Sequence, residues 1–148
     1  MAVRVQEADF DVSAELAALS AGRTDVGAVA SFVGLVRGVA EGGGGAMTLE
    51  HYPGMTERAL SEIEAEARAR WPLDGVVIVH RVGRLAPGDR IVLAAAASRH
   101  RKAAFEAAEF LMDYLKTRAP FWKKEEGPYG ASWVDARESD EAEARRWG

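Results

Sequence analysis

Alternation of apolar and polar positions over short segments rich in β-branched residues predicts several strands. The predicted strands are residues 3–7, 26–36, 47–52, 76–82, 91–97, 121–125 and 132–135. Pro87 and Gly88 lie between the fourth and fifth of these strands, and residues 127–130 separate the last two. Both connections have the composition of tight turns, so each of these pairs is predicted to form a hairpin.

Apolar residues at intervals of three and four predict helices between the strands. The predicted helices are residues 13–20, 56–70 and 99–118, followed by a charged helix from about residue 139. Seven strands and three main helices, several joined by tight turns, predict an α+β fold with a largely antiparallel sheet. No repeat or linker divides the sequence, so residues 1–148 are expected to form one domain. Residues 42–45 are four consecutive glycines and predict a mobile loop.

The composition is that of a globular protein, with 48% hydrophobic and 28% charged residues. No apolar run reaches the roughly 18 residues of a membrane helix, and the first residues lack the apolar core of a signal peptide. We therefore expect a cytoplasmic protein without membrane contact. The sequence has no cysteine, which excludes disulfides and thiolate chemistry. His51, His80 and His100 match no metal-ligand spacing, so no metal is predicted.

Charge is unevenly distributed in a chain whose formal net charge is −4. Residues 98–124 contain seven basic and three acidic residues, whereas residues 125–148 contain three basic and seven acidic ones. A basic segment in an acidic protein favours a small anionic ligand over a long polyanion, so nucleic acid is not expected as a partner. The alternative from composition alone is a charged surface helix beside an acidic tail.

The start of the predicted helix 99–118 is strongly basic. Arg99, His100, Arg101 and Lys102 lie at an end where the helix dipole favours negative groups, and Ser98 is the predicted N-cap. A bound phosphate would meet free backbone N–H groups and flanking cations there, which predicts a phosphate site. The alternative is that Arg99 and Lys102 are simply solvated.

The same helix is apolar over an arc of about 220°, wider than one side of a small domain needs. Phe105, Phe110 and Tyr114 widen the arc, and Arg101 is predicted to project into its middle. Such a helix is either deeply buried or shared with a neighbouring subunit. A cation within the arc needs a partner, which for Arg101 is a phosphate or a buried carboxylate such as Glu50.

Lys116 lies near the end of this helix, at the edge of the apolar arc. Its amine could reach a cleft there and lose hydration, and a second nearby cation would lower its proton affinity, as a nucleophile or base requires. The alternative is ordinary, because lysine suits a helix C-terminus and Asp113 could pair with it.

Six segments of the sequence carry a resemblance to a known family. They are residues 34–37, 48–56, 80–83, 98–101, 113–123 and 133–140. The most specific is residues 113–123, in which Lys116, Pro120, Trp122 and Lys123 fall in register. Over nearly its whole length, the chain resembles the catalytic (large) subunit of molybdopterin synthase.

The resemblance implies an α/β-hammerhead type of fold with an additional β-hairpin region, and the activity of a sulfurtransferase. The sulfur donor would be the C-terminal Gly-Gly thiocarboxylate of a small ubiquitin-like carrier subunit. The acceptor would be cyclic pyranopterin monophosphate, which receives two sulfur atoms to form the dithiolene of molybdopterin. Two large subunits would form a homodimer within a heterotetramer, and no cofactor is expected.

The resemblance also assigns the site residues. Lys116 and Lys123 would be catalytic, with the choice between base and electrostatic clamp open for each. The positions implied for substrate binding are Arg37, His100 and Arg101, with Phe32 and Arg137 as pocket neighbours. The stretch after Arg37, with Val39 and four glycines, departs from the more polar loop of the family.

Two functions of other classes stay open from the residues alone. A non-catalytic module that binds a small anion or a pterin phosphate would keep the basic pocket and tolerate the loss of Lys116. A nucleic-acid adaptor would use residues 99–124, but the net charge and the apolar helix face disfavour it.

Overall fold

The computed structural model describes residues 2–38, 45–127, 130–134 and 138–148. The strands are β1 (Val3–Gln6), β2 (Ala28–Leu35), β3 (Met47–His51), β4 (Leu73–Arg81), β5 (Gly83–Leu85), β6 (Arg90–Ser98), β7 (Phe121–Gly127) and β8 (Gly130–Val134). The helices are α1 (Val12–Ser20), α2 (Met55–Arg70), α3 (Arg101–Arg118) and α4 (Glu138–Arg145). The predicted α+β fold with mostly antiparallel pairing is confirmed.

The first sheet has the strand order β1-β4-β6-β2. β1 pairs parallel with β4, while β4 with β6 and β6 with β2 pair antiparallel. β4 and β6 lie in the centre of this sheet, and their continuous apolar runs are buried. β2 is an edge strand, so one of its sides is open to another chain.

Helix α3 packs on this sheet and runs antiparallel to β6. Near its start, Ala104 packs against Ala30, whose register partner Ala96 lies near the end of β6. Near its end, Leu115 belongs to the core cluster that contains Val92, close to the start of β6. The small side chains of β6 let the helix approach the sheet closely. The last turn of α3 therefore returns to the end of the sheet where β6 begins.

The second sheet has the strand order β5-β3-β7-β8. β7 and β8 form the predicted last hairpin, in which Gly127 pairs with Gly130. The predicted antiparallel pairing of the fourth and fifth strands (β4 and β6) is confirmed, but their connection is more than a tight turn, because it contains β5. Gly83 has a φ of +89°, and the chain bends there to add β5 to the second sheet. The turn at Pro87 and Gly88 therefore leads from β5 into β6.

The start of α3 differs from the sequence prediction. The helix begins at Arg101, and Ser98 does not cap it, because the Ser98 hydroxyl donates to the carbonyl of Pro72 at 2.8 Å. Phe105 is 65% exposed, whereas Phe110 and Tyr114 are buried. The predicted apolar arc is therefore correct for the second half of the helix and too wide in its first half.

Helix α4 and the last residues support the second half of α3. Nε1 of Trp147 donates to the carboxylate of Asp113 at 2.6 Å, and its ring contacts Trp71 and Phe110 edge-on. Arg146 forms ion pairs with Asp113 and Glu109. Asp113 is thus a docking point for the end of the chain.

The predicted glycine loop lies mostly outside the described residues. Residues 42–44 are not among them, and Gly45 has a φ of +96°.

Within the part of the chain that the structure describes, no helix is long and apolar enough to cross a membrane.

Candidate functional site

Basic residues collect at both ends of α3, and the two ends are far apart. Arg101 is the first residue of the helix and Lys116 lies in its last turn. Fifteen residues at 1.5 Å each separate them by about 22 Å along the helix axis. The structure therefore does not bring His100 and Arg101 together with the predicted catalytic Lys116 within one chain.

The first end is an open pocket of about 450 Å³ at the helix start. Its lining residues are Gly27, Arg99, His100, Arg101 and Lys102. His100 is the N-cap residue with extended backbone angles and makes no side-chain cap, and the first turn contains no acidic residue. The N–H groups of a first helical turn have no partner within the helix, so this pocket offers both donors and cations to an anion.

Close packing of the backbone shapes this pocket. The N–H of Gly27 donates to the carbonyl of Ser98 at 3.0 Å, and a Cβ on Gly27 would lie 2.1 Å from the carbonyl oxygen of Arg99. Arg101 is exposed, so the prediction that it projects into the apolar arc is wrong. The reason is that side chains in the first turn of a helix point back toward its N-terminus. Here that direction leads beyond Ala28 and Ser98, the last paired residues of β2 and β6 at this end of the sheet.

The second end centres on His80, which the sequence pattern did not assign to the site. His80 lies on β4 and is 5% exposed. Its Nδ1 lies 2.8 Å from the carbonyl oxygen of Arg81, so Nδ1 donates and Nε2 remains an acceptor in the neutral ring. Burial is the main cause that lowers the pKa of His80 to about 4; the charges of Lys116 and His51 act in the same direction, and the hydrogen bond to the Arg81 carbonyl opposes them.

Lys123 follows on the strand that contacts this imidazole. The ring of Phe121 stacks on His80, and Lys123 lies two residues further along β7, on the same face of the strand. Nζ of Lys123 is 3.2 Å from a carboxylate oxygen of Glu125, the next residue on that face. Phe121 thus links Lys123 on β7 to His80 on β4, and the charge of Lys116 at the end of α3 acts on the same imidazole.

Lys116 is exposed, and the side chain of Lys123 is 32% exposed. The prediction that the Lys116 amine loses hydration is therefore wrong for the single chain. The helix ends at Arg118, so its last turn is covered on the core side only. A partner over this end of the molecule would be needed to exclude water from Lys116.

The remaining predicted site residues lie at different places. Arg37 is exposed and lies two residues after the end of β2. The N–H of the preceding residue, Val36, donates to the backbone carbonyl of Asp89 at 2.9 Å. Arg37 therefore lies at the end of the first sheet where β6 begins, which is also the end reached by Lys116. Phe32 lies on the β2 edge, opposite Ala94, and is 43% exposed. Arg137 lies outside the described residues.

Comparisons with known proteins identify the family. Residues 5–118 match the sequence model of a family described as MoaE protein. The "Molybdopterin synthase catalytic subunit" of Ralstonia nicotianae is 60% identical over 147 residues, covering 99% of this chain and 84% of that protein. The solved "Molybdopterin biosynthesis MoaE protein" of Burkholderia ambifaria superposes with a TM-score of 0.85 at 56% identity, covering 100% and 99% of the two chains.

A more distant structure shares the fold. It is a "protein-protein complex of subunit 1 and 2 of Molybdopterin-converting factor" from Helicobacter pylori. The TM-score is 0.76 at 20% identity, covering 93% of this chain and 92% of the other.

An α+β fold with basic residues at both ends of helix α3 has the features of an enzyme for an anionic substrate. The chain belongs to the MoaE family, the family of molybdopterin synthase catalytic subunits. The predicted family, the sulfurtransferase class and the role in molybdenum cofactor biosynthesis are thereby confirmed.

Proposed function

We propose that this chain transfers sulfur from the thiocarboxylated C-terminus of a small ubiquitin-like carrier to cyclic pyranopterin monophosphate, forming the dithiolene of molybdopterin. The observation that carries the proposal is that the charge of Lys116 acts on His80, while His80 stacks on Phe121, which shares a face of β7 with Lys123. Ammonium groups there can neutralise the incoming thiocarboxylate and an oxyanion that develops during transfer. A lysine from which water is excluded can also serve as a base.

The substrate site is proposed to combine residues of two copies of the chain. The distance between Arg101 and Lys116, about 22 Å along the helix, is too long for one pterin phosphate to span. Two copies related by a twofold axis solve this problem, because the His100 and Arg101 end of one can face the lysine end of the other. The substrate phosphate would then lie at the helix start and the reacting carbons near Lys116 and Lys123.

A set of exposed apolar side chains supports a contact between copies. The β2 edge patch consists of Val29, Phe32, Leu35 and Phe105, with exposures of 38%, 43%, 56% and 65%. It lies on an edge strand and on the helix that packs against that strand. A homodimer formed through this patch would place Phe32, a proposed pocket neighbour, beside the contact. Arg37 would lie at the lysine end of the same copy.

The carrier subunit is proposed to cover the lysine end. Tyr52, Met55 and Trp122 are exposed next to it, with Trp122 on the face of β7 opposite Lys123, and the rings of Tyr52 and Trp122 are 6.0 Å apart. Aromatic residues and methionine are enriched where proteins contact each other. A carrier seated on this surface would bring its tail to Lys116 and exclude water from it, giving a heterotetramer of two large and two small subunits.

The test is reconstitution. The purified chain, thiocarboxylated carrier and cyclic pyranopterin monophosphate are mixed, and the dithiolene product is measured by mass after alkylation. Product is expected with the wild type and not with Lys116→Ala. If the wild type binds the pterin or its phosphate but forms no product with active carrier, the non-catalytic anion-binding module is the better description.

Three further properties implied by the sequence stay predictions. They are one domain over residues 1–148, the α/β-hammerhead arrangement and a cytoplasmic location. The proposed chemistry requires no metal or other cofactor, because the sulfur arrives already activated as a thiocarboxylate.

A further inference from the structure

The chain turns from α3 into β7 at Pro120, between Lys116 and Lys123. The N–H of Phe121 donates to the carbonyl of Ala119 at 2.9 Å, which closes a three-residue turn around the proline. Pro120 has no N–H, so its carbonyl is its one backbone hydrogen-bonding group. The direction in which β7 leaves the helix therefore depends on what holds that carbonyl.

The group that holds it is the hydroxyl of Thr56. This side chain is fully buried and belongs to the first turn of α2. Oγ1 of Thr56 donates to the carbonyl of Pro120 at 3.0 Å and accepts the N–H of Tyr52 at 2.9 Å. One hydroxyl thus joins the chain after β3, the start of α2 and the turn between the two lysines. A buried pair of this kind is costly to break, because water cannot replace the lost partner.

The turn that contains Thr56 is itself closed. The N–H of Thr56 donates to the carbonyl of Tyr52 at 2.8 Å, and the N–H of Gly54 donates to the carboxylate of Glu57 at 3.1 Å. Gly54 has a φ of +86°, a conformation that glycine adopts without strain. Thr56 is therefore a fixed point against which the Pro120 turn is held.

A second contact acts on the same turn from the other side. His80 on β4 stacks on Phe121, the residue that follows Pro120. The stack limits the lateral position of β7, while the Thr56 hydroxyl fixes the carbonyl immediately before it. Neither contact involves a lysine directly, yet both determine where the last turn of α3 and the first residues of β7 lie.

We propose that Thr56 is a positioning residue that sets the separation of Lys116 and Lys123 by holding the carbonyl of Pro120. The proposal rests on the sulfur-transfer function proposed above. Its basis is that a small displacement of catalytic groups from productive geometry costs a large factor in rate, while substrate binding elsewhere is unaffected. The expected signature is a loss in kcat without a matching change in KM.

The experiment compares Thr56→Val, which keeps the shape and removes the hydroxyl, with Thr56→Ser, which keeps the hydroxyl. Thr56→Val is expected to reduce kcat for dithiolene formation by at least about 10-fold, with KM for the pterin within about twofold. Thr56→Ser is expected to restore kcat to within about threefold of the wild type. Hydrogen exchange of the Phe121 amide should become faster in Thr56→Val and stay slow in Thr56→Ser.

Val77→Ala is the matched control for general destabilisation. Val77 is buried in the core cluster beneath α1, away from the Pro120 turn. It should lower the melting temperature at least as much as Thr56→Val and leave kcat unchanged. An unaltered kcat or an unaltered Phe121 exchange rate in Thr56→Val would overturn the positioning role, as would an equal kcat loss in Val77→Ala. If the wild type forms no product, but the Phe121 amide still exchanges faster in Thr56→Val than in the wild type, the proposed function is overturned instead.

Discussion

The imidazole of His80 lies flat against the ring of Phe121, with the ring centroids 3.8 Å apart and the planes inclined by 18°. His80 belongs to the first sheet and Phe121 to the second, so this stack joins the two sheets where α3 ends. The charge of Lys116 acts on the same imidazole. A neutral ring suits both contacts, since a protonated one would set a buried cation against the Lys116 ammonium.

This arrangement predicts a pH-dependent stability. The pKa of His80 is about 4 in the folded chain, against 6.5 for an ordinary histidine. Between these values the unfolded chain binds a proton that the folded chain does not, so the stability contribution is complete above pH 6.5 and decreases as the pH falls toward 4. We expect the free energy of unfolding, measured with urea, to lose about 3 kcal/mol from this group between pH 7 and pH 4.

His80→Phe provides the control, because it keeps an aromatic ring against Phe121 and removes the titrating group. His51 and His100 are present in both proteins, so the difference between the two pH profiles isolates His80. The His80→Phe profile should be flatter between pH 6.5 and pH 4. Identical slopes in the two proteins would show that His80 does not stay neutral in the folded chain.

Lys123 and Lys124 offer a test of the site within one strand. The two residues are adjacent on β7 and therefore point to opposite faces of it. We expect Lys123→Ala to reduce kcat at least about 100-fold, because it removes a charge facing the reacting atoms, and Lys124→Ala to change it by less than about threefold. Melting curves should show both variants folded. Similar losses in the two variants would mean that net charge, and not the position of Lys123, matters.

Replacing Lys116 by arginine separates its two possible roles. Arginine keeps the positive charge but does not give up its proton near neutral pH. If Lys116 acts as a base, Lys116→Arg is expected to be as inactive as Lys116→Ala. Substantial activity in Lys116→Arg would assign the residue to charge stabilisation. Product yield under saturating carrier is the measurement.

Local patterns predicted most elements of this fold, and the failures have particular causes. The apolar runs that form β4 and β6 are unambiguous, because strands buried in the centre of a sheet need no polar face. β5 was missed because three residues carry too little periodicity to be recognised, and its first residue, Gly83, has a positive φ that a sequence pattern does not reveal. The same omission made the turn at Pro87 look like a direct hairpin.

The candidate site was predicted in its residues and not in its layout. Lys116 and Arg101 are candidates from the residues alone and Lys123 from the resemblance, but the sequence does not show that the strands β4 and β7 meet at the His80–Phe121 stack. His80 and Thr56 were missed as functional residues because their significance depends on tertiary contacts with Phe121 and Pro120. Both lie within segments that carry the family resemblance (residues 80–83 and 48–56), and this was the signal in the sequence that could have marked them as functional.

Mixing two inactive variants tests whether the substrate site spans two copies. Lys116→Ala and Arg101→Ala are each expected to have little activity as homodimers. In a hybrid dimer, one site carries both substitutions and the other carries neither, so activity returns. With complete exchange at equal concentrations, half of the dimers are hybrids, and about one quarter of the wild-type activity is expected. If both functional ends acted within one chain, every site would keep one substitution and no activity would return.

The β2 edge patch predicts which substitution separates the copies. Phe105→Glu places a charge in the proposed contact and is expected to produce monomers in sedimentation velocity at micromolar concentration. Met55→Glu is the matched control, since Met55 is also exposed and apolar but lies at the start of α2. It should leave the dimer intact. A wild type that is already monomeric, or a Phe105→Glu variant that stays dimeric, would refute this contact.

The last prediction concerns where the transferred sulfur is carried. The chain has no cysteine, so neither a persulfide nor a thiolate can form on it, and a methionine thioether is too poor a nucleophile and leaving group to replace them. Each sulfur must therefore arrive on the carrier. When the thiocarboxylate sulfur bonds to a substrate carbon, the oxygen substituent that it replaces must leave that carbon. Water must then cleave the remaining acyl–sulfur bond, so that the sulfur stays on the substrate and the carrier leaves as a plain carboxylate.

Two sulfur atoms should consequently consume two carrier molecules for each pterin. The measurement titrates a known quantity of thiocarboxylated carrier into excess large subunit and substrate and counts the finished dithiolene by mass. The expected ratio is about two carriers per dithiolene, with free sulfide unable to replace the carrier because it brings no tail to the lysine end. A ratio near one, or product formed from sulfide with the carrier absent, would show that sulfur reaches the substrate by a route that bypasses the carrier tail.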